Sequence, residues 1–211
     1  MPESIITAMI SAVAILTGAV IGAVCSWLIN RNTTNRNIET QTRIVMENRE
    51  LEESIRCKKL CQNANVIRLD ICTAIFQSIR GINNITIVSN GEYPLYIPIN
   101  SEYPRAIASL TITMDLKEIS YLYQLYGVIE KINHDIKNLN YTDKNSYELI
   151  KIDYEIFLKK LYGANFGKVV KQPIDNMSYY EMYDNDLIKE GYRKVLKQLD
   201  GICSSCNKKK N

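Results

Sequence analysis

Histidine is nearly missing from this chain, and His134 is its only example. Within one copy that excludes a histidine metal cluster and any paired-histidine chemistry. His134 and Asp135 form no dyad either, because adjacent residues on a helix point to different faces, so a surface or helix-cap histidine is the expectation. No Gly-rich phosphate loop, Ser nucleophile elbow or His/Cys/carboxylate constellation occurs, and no cofactor is implied. Asp184 and Asp186 imitate the opening of a calcium loop, but Lys189 stands where such a loop needs glycine. They read instead as first-turn acids opposing a helix dipole. The expectation is a protein that is not an enzyme.

A strong charge of one sign is also absent. The formal net charge is +3, with acids and bases mixed along the chain, so neither a nucleic-acid footprint nor a funnel for acidic substrates is visible. Phenylalanine is scarce, three against fourteen tyrosines. Tyr93, Tyr96 and Tyr103, and again Tyr179, Tyr180 and Tyr183, are grouped in sequence. Base stacking would need a basic groove, whereas "SYYEMYDND" is acidic, so these tyrosines are read as packing and interface residues with no nucleic acid as partner. The terminal lysines Lys208 to Lys210 fall short of a polybasic lipid-binding cluster.

The longest gap in charge runs from Ile5 to Ile29, 25 residues without Asp, Glu, Lys, Arg or His. As a helix it reaches roughly 37 Å, more than the ~30 Å hydrocarbon core requires. A buried core helix is seldom apolar on every face for so long, and a cleavable signal has a positive leader and a shorter apolar stretch than follows Met1 to Ser4. The expectation is an uncleaved transmembrane helix over residues 5–29, with residues 1–4 as an extracytoplasmic tail. Arg31, Arg36 and Arg43 follow it, which places the N-terminus outside and the rest of the chain in the cytoplasm. Inside the span Ala14, Gly18, Gly22 and Ser26 recur at i+4, a ladder of small residues where another helix backbone can approach closely.

Residues 30–59 are helix-compatible but too polar for a self-sufficient coiled coil. With Ile38 and Val45 at a positions the next is Glu52, and Gln41, Asn48 and Ile55 fill d. A solvated helical stalk is expected, up to about 45 Å long. From Leu60 the pattern changes: Leu60, Ala64, Ile67, Ile71, Ile75, Ile79 and Ile82 make one apolar face. Residues 84–104 hold prolines and Asn90-Gly91, which suit a small edge hairpin or an ordered loop. A second helix is expected from Pro104 to about Leu139 and a third from Asn145 to Gly163. A fourth is expected from the Asp184 to Asp186 acids to Gly201. The fold class is therefore all-α: a transmembrane helix, a stalk, a helical domain over residues 60–201 of about four helices, and a flexible Cys/Lys tail over residues 202–211.

With the domain in reducing cytosol, no disulfide framework is expected among the six cysteines. Four Asn-X-Ser/Thr sequons, at Asn32, Asn84, Asn140 and Asn176, are read as accidents of an Asn-rich composition. "CSSC" follows a helix, not the strand a thioredoxin-like motif needs. Cys203 and Cys206 could join Cys57 and Cys61 in a four-cysteine zinc site only if the tail folded back across the domain, so no metal is expected and these four are the only candidates. The leading functional expectation is a single-pass protein that works at the inner membrane face through self-association or another membrane protein. A membrane-perturbing effector of phage or mobile-element type, and a cysteine-based zinc or redox sensor, are the alternatives.

Overall fold

The computed structural model describes residues 3–86, 96–140 and 143–208. The chain divides into two compact units, Met1–Ser54 and Ile55–Asn211. Helix α1 (Glu3–Thr86) starts in the first and continues in the second. Its length follows from composition: no proline lies between Pro2 and Pro94, and Gly18, Gly22 and Gly81 are its only glycines. The apolar stretch 5–29, the polar stretch 30–59 and the Leu60 stripe are therefore parts of one helix.

In the first unit, described residues 3–53 are all exposed. An 18-residue window there has mean hydropathy 2.3 and none of it is buried within the chain. By length and composition this is one helix able to cross a membrane, as an anchor or as a signal sequence. Two threonine hydroxyls of its apolar stretch are satisfied from within the helix. Thr17 Oγ1 donates to the Val13 carbonyl at 2.8 Å, and Thr7 Oγ1 to the Glu3 carbonyl at 3.0 Å. A lipid-facing helix has no water to do this.

In the second unit, the expected face of α1 is the spine of the core. Ala64, Ile67, Ile71, Ile75, Ile79 and Ile82 are all buried. Around it pack α2 (Tyr103–Ser109), α3 (Leu116–Lys137), α4 (Lys144–Tyr162), α5 (Phe166–Val169), α6 (Tyr179–Tyr183) and α7 (Glu190–Lys208). Three of these are short, so the domain holds more elements than about four helices. No strand occurs among the described residues. The hairpin expected at Asn90-Gly91 falls outside them. Beyond it, Ile97 is tied down by Asn133 on α3, whose Oδ1 accepts from the Ile97 amide at 2.9 Å and whose Nδ2 donates to its carbonyl at 2.8 Å. One side chain thus supplies the bonds a neighbouring strand would otherwise make.

Three boundaries differ from the sequence expectation. The helix expected from Pro104 to Leu139 is two helices, interrupted by a 3-10 turn at Leu110–Ile112 and restarted at Asp115. Asp115 Oδ1 accepts from the Glu118 amide at 2.7 Å while Glu118 Oε2 accepts from the Asp115 amide at 3.0 Å, a capping box that is visible as "DLKE". The Asp184 to Asp186 acids do not open the last helix. Asp184 caps the C-terminus of α6 and pairs with Lys197 at 2.6 Å, and α7 begins at Glu190. Nor does Gly201 stop α7, which runs on to Lys208, so residues 202–208 are helical, not a flexible tail. Gly163 does end α4, at φ 58°, the one positive φ among the described residues.

Candidate functional site

The four cysteines singled out as metal candidates do come together, and they do so as two disulfides. Cys57 is bonded to Cys206 and Cys61 to Cys203, with Cα atoms 5.6 and 4.7 Å apart, inside the range disulfides require. The expectation of free thiols is overturned. Each pair spans more than 140 residues of sequence, 149 and 142. The geometry is that of two antiparallel helices: the earlier cysteine of α1, Cys57, meets the later one of α7, Cys206, and the later one of α1, Cys61, meets the earlier one of α7, Cys203.

Both cysteine pairs prolong a core stripe. On α1, Cys57 and Cys61 precede Ala64, Ile67 and Ile71 at helical spacing. On α7, Tyr192, Val195, Leu199 and Ile202 are buried, and Cys203 and Cys206 follow on the same side. That continuation holds the last turns of α7 as helix past Gly201. Two turns further along α1, the Arg68 guanidinium pairs with the Asp200 carboxylate of α7 and lies 5.9 Å from the Tyr183 ring centroid. The two helices are thus joined by two covalent bonds and one ion pair.

Sulfurs committed to disulfides cannot ligate a metal, so the zinc reading has no ligands in this oxidation state. Among the described residues no cluster of three or more His, Cys, Asp or Glu could hold a metal ion. The remaining cysteines are Cys25, exposed in the apolar stretch, and Cys72, buried in the domain. Burial pushes the Cys72 thiol up to about 12, which keeps it protonated and unreactive.

The other titratable groups have structural work. Asp70 on α1 is buried, and loss of water raises its pKa against two hydrogen bonds that favour the carboxylate. Its Oδ2 accepts from the Asn100 amide at 3.1 Å and from the Tyr126 hydroxyl at 2.8 Å, fixing the segment before α2 to the core. Tyr103 stacks on Tyr126 with ring centroids 4.0 Å apart. Lys131 on α3 bridges Asp135, at 2.8 Å, and the buried Asp153 of α4, at 2.6 Å. Its ammonium holds Asp135 below the usual carboxylate range, whereas burial pushes Asp153 up. His134 is exposed in the last turn of α3, its Nε2 3.0 Å from the Asn138 amide nitrogen.

The small-residue ladder lies in the first unit. Ala14, Gly18, Gly22 and Ser26 are all exposed, and a Cβ added at Gly18 or Gly22 meets nothing within 4 Å. Among the described residues no contact requires glycine at either position. No family model matches this sequence, and the searches of curated proteins and of solved structures found no match to it.

Proposed function

We propose that this is a single-pass membrane-anchored helical protein that acts by assembly, its N-terminal helix holding it in a bilayer while the chain binds a second copy or another membrane protein. The observation that carries the reading is the apolar window of α1, none of which is buried by its own chain. So long an exposed apolar surface needs an apolar solvent or a partner. The open space at Gly18 and Gly22 adds to this, because small residues there favour close approach of another helix in lipid. The reading is not catalytic: Asp70 and Asp153, buried carboxylates of raised pKa, are engaged in holding elements together, and the buried thiol of Cys72 is sealed from water.

The arginines after the span, taken alone, put the domain on the inner membrane face. The assembly itself is tested with full-length protein in detergent micelles by sedimentation equilibrium. A dimer or higher species is expected, and replacing Gly18 and Gly22 together by Ile is expected to shift it at least tenfold toward monomer. A wild-type monomer that also captures no membrane protein from its own cell would sink the proposal. In cells, an intact membrane potential on expression separates assembly from the membrane-perturbing alternative.

A further inference from the structure

The helical domain carries the chemical record of an oxidising compartment. Four of its five cysteines, Cys57, Cys61, Cys203 and Cys206, are joined in two bonds between distant parts of the chain. The fifth, Cys72, is 1% exposed. No cysteine of this unit is left as an accessible thiol. The four paired cysteines are only half-buried, so soluble thiols can reach them. In cytosol, where glutathione and thioredoxin keep thiols reduced, such bonds do not persist, whereas at cell surfaces and in secretory compartments they do.

We infer that the clasp between α1 and α7 assigns residues 55–208 to the extracytoplasmic side of the membrane, opposite to the side indicated by Arg31, Arg36 and Arg43. Two observations decide between them. Arginines near a span bias its orientation, but long domains translocate largely regardless of charge, and the domain from Ile55 onward is long. Disulfides, by contrast, are a state the folded domain must maintain for its lifetime. The register also indicates a designed pairing: two bonds and the Arg68–Asp200 ion pair follow one antiparallel alignment of the two helices.

Each bond forms by exchange with a disulfide-bearing oxidoreductase. A thiolate of this chain attacks the donor disulfide and expels one donor thiolate. The partner cysteine, as thiolate, then attacks the mixed disulfide, and the donor leaves as a dithiol. Per bond, two thiols of this chain lose two protons and two electrons, and the donor disulfide gains both.

The inference rests on the anchored reading of α1. Failure of that reading has its own signature, recovery of the full chain in the soluble fraction of lysed cells. The test uses intact cells expressing the full-length protein, a membrane-impermeant phosphine reductant and a membrane-impermeant PEG-maleimide, read as a gel shift. Without reductant, no adduct is expected. With it, four adducts are expected on intact cells, falling to two in a Cys57→Ser, Cys206→Ser variant. Labelling without reductant that appears only after the membrane is permeabilised would overturn the inference. So would purified protein in which Cys57, Cys61, Cys203 and Cys206 are all reduced and together hold one zinc ion per chain.

Discussion

Gly81 is a position where one atom matters. It lies in α1, and a Cβ built there comes within 2.8 Å of the Tyr154 ring, which is fully buried and has no room to retreat. Alanine is the better helix former by about 1 kcal/mol, yet overpacking a filled core costs roughly 1 to 3 kcal/mol. Gly81→Ala is therefore expected to destabilise the domain by about 1 kcal/mol and lower its Tm by about 2 to 4 °C. Gly22→Ala, with open space around it, is expected to leave the Tm unchanged. Differential scanning calorimetry distinguishes the two. Lys131 is the second such residue, since it alone balances the buried Asp153 and also holds Asp135 ionised. Because the Asp135 pKa is lowered on folding, its stabilisation is present above the ordinary carboxylate range and is lost as pH falls through the lowered value. Asp153, raised by burial, works in the opposite sense, and without Lys131 it would be raised further. Lys131→Met is expected to cost about 2 kcal/mol at pH 7, less than breaking a fully buried pair because the lysine is half exposed. The deficit should shrink as pH falls through the ordinary carboxylate range and on through the lowered Asp135 value, where the two carboxylates lose their charge, and urea midpoints at pH 7 and at the acid end of that range measure it. An equal deficit at both would mean that packing, not charge, is the role of Lys131.

At the scale of elements, α7 is stabilised by α1 more than by its own sequence. The two disulfides are nested, and their energies should not add. With Cys61–Cys203 in place, Cys57–Cys206 closes only the small ring made of residues 57–61 and 203–206, whereas with neither in place the chain between the helices is unconstrained over 142 residues. Removing either pair by double serine substitution is expected to cost about 2 kcal/mol, and removing both to cost more than the two single losses together. Guanidinium unfolding of the three variants tests this, and simple additivity would refute it. These elements also show what was legible in the sequence. The apolar stretch, the Leu60 stripe and the Gly163 stop are local patterns of hydrophobic period and backbone freedom, and such patterns survive without tertiary context. The capping box at Asp115 is equally local, in "DLKE", yet one helix is expected straight through it, because the β-branched "TIT" before it lowers helix propensity without by itself marking a break. The clasp was not local. Cys57 and Cys61 at the start of one stripe, and Cys203 and Cys206 at the end of another, are matched only once the helices are known to run antiparallel. Gly201 misled for the same reason, because its stop tendency of about 1 kcal/mol is outweighed by burial of Ile202 and the two bonds beyond it.

For the whole molecule, the division at Ser54 and Ile55 separates an exposed helix from a unit with its own core. The buried set from Ala64 to Ile202 lies entirely within the second unit, as do both disulfides, the Lys131 bridge and the Asp70 network. Nothing in that core depends on a side chain before Ile55, so residues 55–211 should fold alone when made in an oxidising compartment. The expected product is soluble, rich in helix by circular dichroism, unfolds in one cooperative transition, and has a mass four hydrogens below that of the fully reduced chain. Its oligomeric state then locates the assembly surface. If association resides in the Gly18 and Gly22 ladder, this fragment sediments as a monomer while the full-length protein does not. A fragment that dimerises as tightly as the full chain would move the assembly surface from the anchor to the helical domain. A fragment that is molten or insoluble although both disulfides have formed would show instead that the domain needs the helix before it, against the independence of its core.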